Sequence, residues 1–194
     1  MANNGRYTTL LLYEALEEAL KALVAEDEQV LSWPKGKISY AHCLAGQLQL
    51  SLRRVLGLSE DSASPTFFSL PSDVKVDIFV KGMDVLVHDR KGKNLMGLVF
   101  STDYLSKAQQ DLLHQKQAEG CRLVLGAAFL PQKEYILLYR PKQESMEYLH
   151  FNRYDGTTTL LKQRELESQG EDLQLVLGIK EQKKRKKRIS EPGQ

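Results

Sequence analysis

The chain has little of what marks secreted, disulfide-bonded or membrane-spanning proteins. Its 194 residues include two cysteines, Cys43 and Cys121, which lie far apart among apolar neighbours and are typical of buried free thiols. No Cys/His spacing suits a structural metal site. The longest apolar run, Leu123 to Leu130, is far shorter than the ~20 residues that a membrane-spanning helix needs. Because Glu14 and Glu17 interrupt the first apolar segment, we expect no secretory signal, no membrane partner and a cytoplasmic protein.

Common catalytic motifs are missing as well. The sequence contains no Gly-x-Ser-x-Gly, no phosphate-binding Gly-x-x-x-x-Gly-Lys and no Gly-x-Gly-x-x-Gly pattern. These absences argue against an α/β-hydrolase, a P-loop nucleotide-binding protein and a dinucleotide-dependent oxidoreductase.

Excess positive charge is confined to one segment. The whole chain has 27 basic and 25 acidic side chains, which gives a net charge of +2. Without the six consecutive basic residues near the C-terminus, 21 basic residues stand against 25 acidic ones, so the net charge is −4. A net negative charge on the rest of the chain is not typical of a general nucleic-acid-binding domain.

The basic segment forms a tail. It consists of Lys183, Lys184, Arg185, Lys186, Lys187 and Arg188. We expect this tail to be disordered and to bind nucleic acid nonspecifically, with an affinity that falls as salt rises. A nuclear address and an aid to solubility are alternative interpretations of the same run.

Hydrophobic periodicity predicts an α/β protein. Apolar residues recur at helical spacing in residues 7–25 and 39–56, and a third helix is expected from Thr102 to Gly120 with Asp103 as its N-cap. Strand patterns follow the second helix and again follow the third. This order predicts a mixed central β-sheet flanked by helices. The predicted strands cover residues 74–80, 83–89, 94–101, 122–130, 135–139, 146–151, 157–161 and 173–177.

One hairpin carries a resemblance to a known family. Its first strand begins Met83-Asp84-Val85 and its second strand ends Val99-Phe100-Ser101. This hairpin resembles the active-site hairpin of the PD-(D/E)xK superfamily of restriction-endonuclease-like nucleases, in which an Asp opens the first strand and Glu-x-Lys closes the second. Asp84 matches the Asp, whereas Val99 and Ser101 stand where the Glu and the Lys are expected.

The resemblance covers residues 39–139 and implies both a fold and the loss of catalytic groups. It implies a restriction-endonuclease-like core in which a helix precedes a three-stranded meander, a second helix crosses over and further strands follow. It also implies that Gln109 or Gln110 matches a glutamine often found on the crossover helix; a surface glutamine is the alternative. Since Val99 cannot bind a metal and Ser101 has no charge, we predict a non-catalytic binding or structural module with no cofactor and an unknown protein partner.

A divergent nuclease is the alternative. Nucleases of this superfamily use converging carboxylates to hold Mg²⁺ and a Lys to orient the attacking water. Here Asp84, Asp77 and Asp103 would bind Mg²⁺, and Lys107 would assist catalysis together with Asp84. The ordinary alternatives are a strand surface for Asp77, a helix cap for Asp103 and a solvated helix for Lys107.

The expected organisation has three parts. Residues 1–37 form an extra N-terminal amphipathic helix and a linker, residues 38–178 form the α/β core, and residues 179–194 form the basic tail. If the resemblance is accidental, the sheet order should differ from a meander followed by a crossover.

Overall fold

A computed structural model describes residues 7–31, 33, 36–56, 74–131, 133–143 and 145–160. All of these described residues belong to one compact unit. None of the described helices is long and apolar enough to cross a membrane. The elements are α1 (Thr9–Leu31), α2 (Lys37–Val55), β1 (Lys75–Val80), β2 (Met83–His88), β3 (Asn94–Ser101), α3 (Lys107–Ala118), β4 (Leu123–Ala128), β5 (Tyr135–Pro141), β6 (Met146–Asn152) and β7 (Thr158–Leu160).

The seven strands form one mixed sheet in the order β1-β2-β3-β4-β5-β6-β7. Strands β3 and β4 are parallel, because helix α3 carries the chain from the end of one to the start of the other. Every other neighbouring pair is antiparallel. The predicted α/β architecture with a mixed sheet and flanking helices is therefore confirmed.

Helices α1 and α2 cover one face of the sheet. Their apolar stripes pack with the inward-facing side chains of the strands in a single core. The Tyr40 ring of α2 lies 5.0 Å from the Phe129 ring, and Phe129 meets Phe100 of β3 edge to face at 5.5 Å. The Tyr40 hydroxyl also donates to the carbonyls of Leu31 and Trp33, which fixes the connection between the two helices.

Helix α3 covers the opposite face. Gly126 of β4 permits this close packing, because a Cβ atom there would overlap the Leu105 side chain and meet that of Leu113. The helix begins later than predicted. Ser106, not Asp103, is its N-cap: Ser106 and Gln109 form a capping box in which each side chain accepts the other's backbone N–H.

A further helix boundary differs from the prediction. Helix α1 extends to Leu31 rather than to residue 25, with a kink at Asp27 where φ is −123° and ψ is 27°. The predicted strand at residues 173–177 and the tail from Lys183 to Arg188 lie outside the described residues.

Candidate functional site

Asp84 occupies a break in the hydrogen-bonded ladders of β2. The pairing of β2 with β3 begins only at Val85, opposite Leu98. On the other side, the register places Phe79 opposite Asp84, but the two do not pair, and Phe79 has a left-handed φ of 55°. The aromatic side chain of Phe79 is 46% exposed. The paired register of β2 therefore skips Asp84 on both sides.

The Asp84 carboxylate fills part of this gap. Its Oδ2 atom accepts the backbone N–H of Phe100 at 2.6 Å, and the residue is only 6% exposed. A buried hydrogen bond to a charged acceptor is stronger than an ordinary hydrogen bond between two backbone peptide groups. The carboxylate thus replaces the missing rung between β2 and β3.

A cation from helix α2 neutralises this buried charge. The Nζ atom of Lys37 lies 3.0 Å from the same Oδ2 atom, and the lysine side chain keeps 42% of its surface exposed. Lys37 is the first residue of α2. A positive charge at a helix N-terminus opposes the helix dipole, so the ion pair with Asp84 compensates for an unfavourable position.

Phe100 is held from its carbonyl side as well. The amide Nε2 of Gln109 donates to the Phe100 carbonyl at 3.3 Å while its Oε1 belongs to the capping box of α3. Of the two glutamines matched by the resemblance, Gln109 reaches the end of β3, and Gln110 instead donates to the Leu105 carbonyl. Asp84 and Gln109, from two different elements, thus bind the two peptide groups on either side of the Phe100 Cα atom.

Val99 and Ser101 do not complete a site with Asp84. Val99 is 2% exposed and lies beside Gly126 in the register, on the face that α3 covers. The carboxylate of Asp84 contacts Lys37 of α2, which covers the other face. Ser101 is half-buried, and its Oγ atom accepts the N–H of Asp103 at 3.1 Å.

The remaining predicted ligands are engaged locally. Asp77 pairs with Lys75 at 2.7 Å and with His88 at 2.9 Å; although burial raises its pKa, these hydrogen bonds and charges lower it by more. Asp103 accepts the N–H of Tyr104 at 2.7 Å.

Lys107 also has a local partner. It forms an exposed pair with Asp111, one turn along α3, at 2.7 Å.

These residues do not fit Mg²⁺. The ion requires nearly octahedral oxygen ligands and binds where carboxylates converge. Asp84, Asp77 and Asp103 are not brought together, and the described ranges contain no group of three or more His, Cys, Asp or Glu side chains that could hold a metal. The Oδ2 atom of Asp84 already faces the ammonium group of Lys37.

A separate cleft has a lining that does not include Asp84. It has a volume of about 680 Å³ and lies between α1 and the turn after β6. Its charged side chains balance, with Lys21, Lys133 and Arg153 against Glu28, Glu134 and Asp155. The cleft therefore favours neither an anion nor a cation.

Sequence reasoning missed Lys37. Its signal was a lysine at the start of a helix, where a cation is unfavourable unless it has a partner. The His88 partner of Asp77 was also missed, because its contact depends on the strand register. Comparisons with protein-family models, curated proteins and solved structures found no match to the chain. The function must therefore be argued from the chain's own geometry.

Proposed function

We propose that this protein is a non-catalytic PD-(D/E)xK-like domain that acts as a binding or structural module. The observation that carries the proposal is the commitment of Asp84 to structure. Its carboxylate accepts the Phe100 N–H and pairs with Lys37. Both partners contact the same oxygen, Oδ2, so that oxygen is already committed to holding β3 and α2.

The order of elements supports the family part of the proposal. Helix α2 precedes the meander of β1, β2 and β3, helix α3 crosses over, and β4 lies parallel to β3. This is the order of elements that the resemblance implies. If the resemblance were accidental, we would expect a different strand order. The fold alone does not imply catalysis, since function depends on the site.

Val99 and Ser101, which stand where the resemblance expects the Glu and the Lys, support the loss of catalysis. Val99 is apolar and packs on the α3 face, while Ser101 accepts a hydrogen bond from its own loop. Phosphodiester hydrolysis by this superfamily needs converging carboxylates around a metal. The divergent-nuclease alternative would need Asp77 and Asp103 to leave their present partners.

The proposal keeps two expectations from the sequence. The protein works in the cytoplasm, and the tail from Lys183 to Arg188 contacts nucleic acid without sequence preference. Binding through the tail would weaken steeply with salt, because each neutralised phosphate releases a counterion. Replacing the six tail residues with glutamine should abolish such binding, and substitutions at Asp84 should leave it unchanged.

Calorimetric titration of Mn²⁺ and Mg²⁺ into the wild type and Asp84→Ala tests the proposal, together with cleavage assays on DNA and RNA. We expect no metal binding and no cleavage by either protein. A metal-binding isotherm or cleavage activity that is present in the wild type and lost in Asp84→Ala would overturn the proposal in favour of the divergent nuclease. Lys107→Ala provides a second check, since it should change nothing.

A further inference from the structure

A groove between α1 and α2 has the composition of an unfilled interface. It has a volume of about 350 Å³, and its lining includes Asp27, Cys43, Gly46, Leu50 and Arg53. Leu50 is 47% exposed. Within the described ranges no atom lies within 4 Å of a Cβ atom built on Gly46, so the described part of the groove floor has room for a neighbour.

The exposed residues follow one stripe of α2. Ile38, His42, Gly46 and Leu50 are spaced by four residues, and Arg53 comes seven after Gly46, which places them along one side of the helix. Ile38 is 69% exposed, on the same stripe as Leu50. A second helix could approach this stripe closely at Gly46 and cover apolar side chains on both sides of it.

The charges of the groove are separated rather than paired. Arg53 has no ion-pair or hydrogen-bond partner within the part of the chain that the structure describes, in contrast to Arg54, which pairs with Glu18. Asp27 lines the same groove near the Cys43 thiol. Burial and this carboxylate raise the pKa of the thiol, so the groove holds no thiolate nucleophile and is better suited to docking than to catalysis.

We propose that the groove binds a second copy of this chain, with the two α2 helices antiparallel and crossing at Gly46. In this two-fold arrangement Arg53 of one copy lies about 10 Å along the helix from the crossing. On the same side, Cys43 of the other copy lies about 4.5 Å from the crossing, with Asp27 of that copy beside it. Side chains on a helix lean toward its N-terminus, and in an antiparallel pair that direction brings Arg53 toward Asp27. The symmetry produces this ion pair twice.

The proposal is independent of whether the domain is catalytic, so its failure would leave the proposed function untouched. Sedimentation velocity of the full chain over a concentration series measures it. We expect the wild type to approach twice the mass of one chain. Gly46→Glu, whose Cβ atom would meet no described residue within 4 Å, should remain monomeric. Leu10→Glu is the matched control, since Leu10 is exposed on α1 outside the groove.

Charge-reversal variants distinguish a specific interface from nonspecific self-association. Arg53→Glu and Asp27→Lys should each weaken self-association about tenfold, and the double variant should recover it. Circular dichroism should show the same helical content in every variant. A monomeric wild type at all concentrations, or a dimer that Gly46→Glu and Arg53→Glu do not change, would overturn the proposal; in the first case a helix from another protein becomes the occupant to seek.

Discussion

The carboxylate of Asp84 and the peptide N–H of Phe100 are joined by a 2.6 Å hydrogen bond across a gap between β2 and β3. The bond gives Asp84 a structural task. Because the N–H of Phe100 has its acceptor in a side chain, the stability of this sheet depends on the Asp84 carboxylate.

Replacing Asp84 should therefore destabilise the protein. Asp84→Ala leaves the Phe100 N–H without its acceptor, and we expect a loss of about 1–3 kcal/mol in the free energy of unfolding. Asp84→Asn keeps an acceptor oxygen and should lose less. Urea denaturation measures both changes. An increase in stability, as expected when a strained functional group is removed, would contradict the structural role.

Lys37 should be energetically coupled to Asp84. A double-mutant cycle with Lys37→Met and Asp84→Asn isolates the interaction. The lysine side chain is 42% exposed, so solvent screens the pair and we expect a coupling of about 1 kcal/mol rather than the value of a fully buried pair. The coupling should persist at high salt better than that of the exposed pair between Lys107 and Asp111. A coupling of zero would mean that the contact does not form in solution.

An acid placed at position 99, where the resemblance expects a Glu, should not create a metal site. Val99→Glu buries a carboxylate on the α3 face, away from Lys37, and we expect a loss of about 3 kcal/mol or more without any metal binding. Ile78→Glu is the comparison, because Ile78 lies on the edge strand β1 and is 37% exposed. A Val99→Glu variant that gains stability in Mn²⁺ would show that positions 84 and 99 converge after all.

His150 should make the fold sensitive to mild acid. Burial lowers the pKa of its imidazole, which packs edge to face against Tyr135 at 3.8 Å. The unfolded chain then takes up a proton near pH 6.5 before the folded chain does, so stability is complete above about pH 6.5 and declines as pH falls toward the folded pKa. His150→Gln should remove this part of the decline. Urea denaturation at a series of pH values will reveal it; parallel curves for the two proteins would contradict the prediction.

Periodicity predicted most of the described elements, because each helix and strand buries one regular set of apolar residues. The α2 stripe of Leu44, Leu48 and Leu52 and the alternation around Val76 were sufficient. The start of α3 was missed although Ser106 and Gln109 have the spacing of a capping box. Asp103 looked equally suitable as a cap, and only the backbone at Ser106 decides between them.

Long-range contacts could not be predicted in the same way. The partnership of Lys37 with Asp84 joins residues from two elements that the sequence separates by a long segment. The left-handed Phe79 also contradicts local preference, since an aromatic residue in an alternating pattern predicts regular strand. Both features meet at Asp84, where tertiary packing overrides local pattern.

Stability in the presence of metal is the most direct test of the account. A metal that binds the folded state alone raises the free energy of unfolding, so the measurement compares wild type and Asp84→Asn with and without Mn²⁺. We predict that the variant is less stable under both conditions and that Mn²⁺ stabilises neither protein. Stabilisation of the wild type by Mn²⁺ that disappears in Asp84→Asn would contradict the account, because Asp84 would then be a metal ligand and not a replacement for a missing rung of the sheet.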